Sequence, residues 1–308
     1  MEGNAPKITL VIGMHRSGTS LCANMIHRLG ADMAEEGFNP GKSNPRGHWE
    51  RPALVHINDR IFDIFRRHWG SPAHILSMPD AYLDNPRVQS LHREAVDWIR
   101  PHLQGATPFG FKDPRTTLLL PFWQRVLADL GATPRYVFCL RHPAQVARSL
   151  LARDKLDLGQ AEYRWLRYTI AAITHIADAA LCIIPYETWF ETPLDQAARL
   201  ATFLDLPCPA QDTIQAVLTA DLRHDDPAAK PASRTALRLH QAIAENAGQP
   251  VLHPALRSLA AELDDFCAAI QPLLIGVEIM RVNLREHAQV IANLQAHISR
   301  LQAPIHVQ

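Results

Sequence analysis

Residues 10–20 read Leu-Val-Ile-Gly-Met-His-Arg-Ser-Gly-Thr-Ser, an apolar run, a turn bounded by Gly13 and Gly18, and a helix start. A strand-to-helix turn of this kind aims backbone N–H groups at one point, and the positive end of the next helix adds to them. Gly13 and Gly18 allow a ligand close to the backbone, Ser17, Thr19 and Ser20 add hydroxyls, and Arg16 places a cation inside the loop. The chemistry is that of a phosphate or sulfate group. Three further stretches supply partners: Arg141 with Ser149 eight residues on, Lys112-Asp113-Pro114-Arg115, and His48-Trp49-Glu50. A guanidinium and a hydroxyl at a strand's end suit a dianion, and a carboxylate or histidine beside a substrate hydroxyl can remove its proton.

The loop has the Gly-to-Gly spacing of the triphosphate-binding loop G-x-x-x-x-G-K-[ST], but Thr19 stands where that loop has its lysine. ATP chemistry relies on that lysine and on magnesium. A donor with one 5′-phosphate and a singly charged sulfuryl group needs less neutralisation and no obligatory metal. Two alternatives stay open: a kinase-like ATP enzyme with Asp113 as a magnesium ligand, and a non-catalytic scaffold that assembles through its C-terminal helix.

His15-Arg16-Ser17-Gly18-Thr19-Ser20 resembles the 5′-phosphosulfate loop of the PAPS-dependent sulfotransferase superfamily (PAPS is 3′-phosphoadenosine 5′-phosphosulfate). It is nearer the R-S-G-T-[TS] form of the tyrosylprotein and glycan enzymes and of bacterial members than the form of the cytosolic small-molecule enzymes. Arg141 and Ser149 match the superfamily's R-x-P-x-x-x-x-x-S, which implies a hold on the donor's 3′-phosphate; Arg148, Arg223 and Lys230 are further cations for it, unranked. The Lys112-Asp113-Pro114-Arg115 segment resembles K-D-P-R of bacterial members, and Lys112 by analogy covers charge as the S–O bond breaks. Tyr186-Glu187-Thr188 resembles a strand end whose role is architectural. The stretch from Asn44 to Glu50 resembles the segment that carries a glutamate base, so Glu50 is the first choice, with Glu35, Glu36, His48 and His15 as competitors.

Carried over residue by residue, the resemblance implies catalysis by Glu50, Lys112 and Arg16. It implies donor binding by Gly13, Arg16, Ser17, Gly18, Thr19, Ser20, Arg141 and Ser149, and acceptor contacts from His48, Trp49 and Arg115. The implied reaction is in-line transfer of a sulfuryl group from PAPS to a hydroxyl, with PAP as product and no metal. The acceptor suggested by analogy is a carbohydrate or a lipid-linked glycan. The resemblance spans about residues 7–207.

Positioning these groups requires a sheet. Apolar, β-branched runs at 7–12, 109–112, 135–140 and 181–185 read as buried parallel strands. Helical patterns at 19–29, 52–68, 88–102, 118–130, 144–151, 163–179 and 194–204 fall among them, and Gly131 is a stop. The fold class expected is a P-loop-like three-layer α/β/α domain around a parallel sheet, over residues 1–271. A long helix over 272–308 follows, with Leu273, Val277, Met280, Leu284, Ile291, Leu294, Ile298 and Leu301 at heptad spacing broken by His287. That pattern makes it a candidate coiled coil and a route to a homo-oligomer. The segments 30–51 and 223–234 read as loops that shape the acceptor site.

With 31 basic and 31 acidic residues, nothing in the charge balance suggests nucleic acid as a partner. Five scattered cysteines without zinc spacing point to a reducing compartment. The short apolar run at 8–12 falls short of a signal core or a membrane span, so a cytoplasmic protein is the expectation.

Overall fold

The computed structural model describes residues 5–34, 47–69, 71–176, 178–218 and 233–302. Glu35, Glu36, Asn44 to Arg46, Arg223 and Lys230 lie outside the described residues. The chain runs through strand β1 (Lys7–Ile12), helices α1 (Thr19–Arg28), α2 (Pro52–Ile64) and α3 (Pro86–Ile99), then β2 (Phe109–Lys112) and α4 (Leu120–Asp129). Strand β3 (Thr133–Leu140), α5 (Pro143–Asp154), α6 (Leu158–Ile176), β4 (Ala180–Pro185), α7 (Thr188–Glu191), α8 (Pro193–Leu204) and α9 (Gln211–Val217) follow. Helices α10 (Arg234–Glu245) and α11 (Pro254–Gln302) complete the described elements.

The four strands are parallel in the order β2-β1-β3-β4, with Ile8 paired to Phe109 and Ile12 to Phe138. Their side chains alternate between two cores, as strands covered on both faces must. Ile8, Leu10, Ile12, Phe138 and Ile183 pack with α2 to α6, α10 and the start of α11. Val11, Val137, Cys139 and Ile184 pack with α1, α8 and α9. The result is the three-layer α/β/α sandwich expected from the sequence. The chain leaves β1 toward β2 on one side and returns to β3 on the other, so the strand order switches at β1. Ligand crevices in such sheets form outside the carboxyl ends of the strands at that point.

Most boundaries of the expected strands and helices fall within three residues of expectation; α6 starts five residues early, at Leu158, and two other departures have local causes. Helix α2 ends at Ile64 rather than 68 because Arg66 takes a left-handed conformation (φ 54°) and Arg67 N–H turns back to the Phe62 carbonyl at 2.8 Å. Residues 114–119, expected at the edge of α4, form a 3-10 turn capped by Asp113, whose carboxylate accepts from Arg115 N–H at 3.0 Å. Helix α11 begins at Pro254 and runs unbroken through Pro272. Its first turns bury Leu256, Leu259, Ala260, Leu263 and Cys267 against the domain, and beyond Gln271 Leu273, Val277, Met280, Leu284, Ile291, Leu294 and Ile298 are exposed.

Candidate active site

The loop after β1 is held from both sides. Gly13 N–H donates to Thr117 Oγ1 at 3.0 Å, tying the loop to the turn after β2. Ser17 N–H donates back to the Met14 carbonyl at 3.1 Å, and Arg16 (φ 70°) and Gly18 (φ 87°) both adopt positive φ. A Cβ on Gly13 would lie 2.6 Å from the Cys139 carbonyl, and one on Gly18 2.5 Å from the Tyr186 ring. Both positions therefore demand glycine for space as well as for φ. Helix α1 starts directly after Gly18 with no side-chain cap. The Ser17 hydroxyl is buried and has no hydrogen-bond partner among the described residues. An unpaired buried hydroxyl beside an uncapped helix start fits an anionic ligand supplied from outside.

One wall of the crevice joins the loop to β3. Arg16 Nε–H donates to Ser149 Oγ at 2.7 Å, and Arg141 Nη1–H donates to the Arg16 carbonyl at 3.0 Å. Arg141 also donates from Nε to Gln145 Oε1 at 3.0 Å, and its guanidinium lies 4.1 Å over the Tyr186 ring. Trp165 Nε1–H fixes the Arg141 carbonyl at 3.1 Å. Burial, then the neighbouring Arg153 and Arg141, push the Arg16 pKa down. A cluster of cations crowded with little compensating charge favours binding an anion.

The opposite end is an ion-pair lattice. Lys112, at the end of β2, is buried and its Nζ lies 2.7 Å from Glu50 Oε1. Arg115 approaches the other Glu50 oxygen at 3.7 Å, pairs with Asp59 on α2, and donates from Nε to Asp113 at 2.9 Å. Burial alone would lower the Arg115 pKa; Asp113 first, then Asp59 and Glu50, outweigh it and raise it above the free value. Asp113 is fully committed: Asn58 Nδ2–H donates to it at 2.8 Å, and Trp123 Nε1–H in turn holds Asn58 Oδ1 at 2.9 Å.

Beside Arg115 a cavity of about 360 Å³ opens, lined among others by His15, Asp59, Asp63, Trp69, His74 and Arg115. His15 rests its ring 4.3 Å from that of Trp69, and its Nε2 is buried without a partner among the described residues. Burial, aided by Arg153 and Arg115, holds His15 well below the usual histidine pKa. His74 is pushed down to about 3 by burial. Its Nδ1–H donates to the Arg67 carbonyl at 2.9 Å, which leaves Nε2 to accept from the Tyr168 hydroxyl at 2.9 Å. Burial thus disfavours the charged form of both rings.

The fold brings together Gly13, Arg16, Ser17, Gly18, Thr19, Arg141 and Ser149 on one side, and Glu50, Lys112 and Arg115 on the other. Ser20 donates its hydroxyl to the His48 carbonyl at 3.1 Å, linking α1 to the segment that carries Glu50. His48 is half-buried, and burial lowers its pKa despite the nearby Glu50. Trp49 stands apart: it takes φ 54°, is 2% exposed, and turns its ring against His27 beneath α1. Its face is spent on the core. Sequence reasoning missed Asn58, Asp59, Thr117 and Trp69, and treated Tyr186 only as architecture, although its ring carries Arg141. Asn58 did leave a signal, a polar residue on the apolar stripe Leu54, Ile57, Ile61 of α2.

A four-stranded parallel sheet with helices on both faces, its first strand feeding an arginine-bearing, glycine-bounded loop, defines an α/β/α protein. Within that class the chain belongs to the sulfotransferase family, whose model matches residues 9–210. Among solved structures it is similar to the sulfotransferase domain of the Synechococcus PCC 7002 olefin synthase, at 17% identity and TM-score 0.45, over 87% of this chain and 97% of that one. The sulfotransferase domain from the curacin biosynthetic pathway matches at 15% identity and TM-score 0.44, over 85% and 99% of the two chains. Sulfotransferase STF9 from Mycobacterium avium matches at 15% identity and TM-score 0.44, over 86% and 78%. No curated protein matches the sequence. Among the described residues no group of histidine, cysteine and carboxylate side chains is arranged to hold a metal ion, and no helix is long and apolar enough to cross a membrane.

Proposed function

We propose that this sulfotransferase takes its sulfuryl group from PAPS and transfers it to a hydroxyl of a carbohydrate or lipid-linked glycan in the cytoplasm. The observation that carries the donor reading is the partnerless, buried Ser17 hydroxyl in a loop whose Arg16 meets Arg141 and Ser149. Gly13, Ser17, Gly18, Thr19 and Ser20 would cradle the 5′-phosphosulfate, and Arg141 with Ser149 the 3′-phosphate. Asp113, the carboxylate an ATP-dependent reading would give to magnesium, is already taken by Asn58 and Arg115.

The acceptor oxygen attacks sulfur while the S–O bond to the leaving phosphate breaks. Glu50 takes the acceptor's proton, and Arg16 and Lys112 cover the charge left on PAP. The 2.7 Å contact between Lys112 and Glu50 couples these events. As Glu50 is protonated its hold on Lys112 weakens, at the moment when negative charge grows on the leaving oxygen. His48 and Arg115 flank the incoming hydroxyl, with Trp49 acting from behind as packing that keeps Glu50 out of water. The cavity beside Arg115 combines an aromatic ring, two carboxylates and histidines, a lining that suits a hydroxyl-rich acceptor. The C-terminal helix gives a route to self-association.

The test is product formation from PAPS with a panel of sugars, glycolipids and hydroxyacyl compounds, with and without chelator. PAP and a sulfated sugar or glycolipid are expected, unaffected by chelator. Turnover with hydroxyacyl compounds alone would overturn the acceptor reading, and consumption of ATP rather than PAPS would overturn the donor reading.

A further inference from the structure

Helix α11 carries one apolar stripe along its length, and the domain covers only the first part of it. Leu256, Leu259 and Leu263 are buried. Asp264 is tied to Arg167 on α6, and Gln271 accepts from Ser77 N–H at 3.3 Å. Past that point the stripe continues with nothing described against it. Its large apolar side chains run from 51% exposed at Val277 and Ile298 to 72% at Leu273. From Leu273 to Ile298 the uncovered seam is about 38 Å long at 1.5 Å per residue, and with a helix face about 10 Å wide covers about 400 Å². A contiguous apolar patch of that size marks an interaction surface, and a projecting helix draws most of its stability from packing such a face.

The seam's composition identifies its occupant. Val277, Leu284, Ile291 and Ile298 take the a positions, and Leu273, Met280, His287 and Leu294 the d positions. β-Branched residues predominating at a with leucine at d favour two parallel strands. Partner choice between unlike helices is set by charged e and g residues, and these positions hold Asn283, Ala288, Val290, Gln295 and His297. The one fixed charge among them, Arg281, is matched in register with Gly276. An identical helix therefore meets no like-charge repulsion. His287 interrupts the seam at a single layer, and only a parallel, in-register pair sets it against its own copy, the arrangement by which one polar layer fixes register. The exposed apolar residues off the seam, Ile275, Ile279 and Val290, form no continuous row, whereas the a/d face carries one from Leu273 to Ile298 broken only at His287.

We propose that the chain dimerises through a parallel, in-register, two-stranded coiled coil extending from Leu273 to Ile298. This stands independently of the donor and acceptor assignments. The test uses the full chain at micromolar concentration. Sedimentation or light scattering should give a dimer, and Leu284→Asp with Ile291→Asp should give a monomer whose thermal unfolding midpoint is unchanged, since neither side chain touches the domain. In a Cys208→Ser background, Leu294→Cys should form a disulfide-linked dimer on mild oxidation, whereas Ile275→Cys on another face should not. A monomeric wild type, a trimer, or a dimer that survives both aspartates would overturn the proposal. Failure of Leu294→Cys to cross-link would overturn the parallel register.

Discussion

The two ends of the crevice are built on different principles. The end proposed to hold the donor is shaped by backbone and tied by two arginines: Arg141 donates to the Arg16 carbonyl, Arg16 donates to Ser149, and two glycines stand where a side chain would strike Cys139 or Tyr186. The end proposed for the acceptor is made by side-chain charge, with Lys112, Arg115, Glu50, Asp113 and Asp59 neutralising one another. Backbone cradles hold one ligand shape, while ion-pair lattices can re-pair as charge moves. A sulfuryl donor of fixed structure belongs with the first, and a proton and a changing charge with the second.

Separate substitutions should break the two ends separately. The largest effect is expected from Glu50→Gln, which should lower turnover by roughly 10²–10⁴-fold, the usual worth of a general base, with PAP affinity nearly unchanged. Lys112→Ala should cost about 10²–10³-fold in turnover, with some loss of fold stability because it leaves the largely buried Glu50 only the 3.7 Å approach of Arg115. Arg141→Ala should act on the other end, weakening PAP about 10–100-fold through lost charge-assisted hydrogen bonds, and it should also lower the melting temperature without ligand because buried Arg141 holds the Arg16 carbonyl and Gln145. Calorimetry and single-turnover kinetics on the same preparations separate these outcomes.

Smaller changes sharpen the contrast. Asn58→Leu removes a donor to buried Asp113, and should destabilise by about 1–3 kcal/mol in denaturant unfolding while sparing PAP binding. The pH dependence follows from His74, held at about 3 in the fold against an ordinary 6.5. Between those values the unfolded chain binds a proton that the folded protein refuses, so stability falls as pH falls. The slope from this one residue reaches about 1.4 kcal/mol per pH unit below the unfolded value. His15, shifted in the same direction, adds to it. Replacing His74 by Gln should flatten the melting temperature's fall between pH 7 and 5; an unchanged slope would remove His74 as its source.

The same division explains what the sequence revealed. Strands β1 and β2 are read to the residue, because buried parallel strands are continuous apolar runs with sharp polar ends. Arg16 and the Arg141–Ser149 pair each lie on a short run after a strand end, and the resemblance of those runs to sulfotransferase motifs brings them into view. The acceptor lattice draws on Asn58 and Asp59, more than fifty residues from Lys112 along the chain, and no local pattern joins them. Trp49 looked like a substrate platform beside Glu50, but a left-handed backbone turns it into the core. The root of α11 escaped for another reason: the heptads counted from Leu273 set its start at 272, while the helix begins at Pro254 and its stripe at Leu256 on the domain.

The donor assignment underlies everything else at the site, and titrating PAP into the protein without magnesium tests it. Saturable binding that raises the melting temperature, and is lost in Arg16→Ala and Arg141→Ala, is the predicted result. Stabilisation by ATP with magnesium but not by PAP would contradict it.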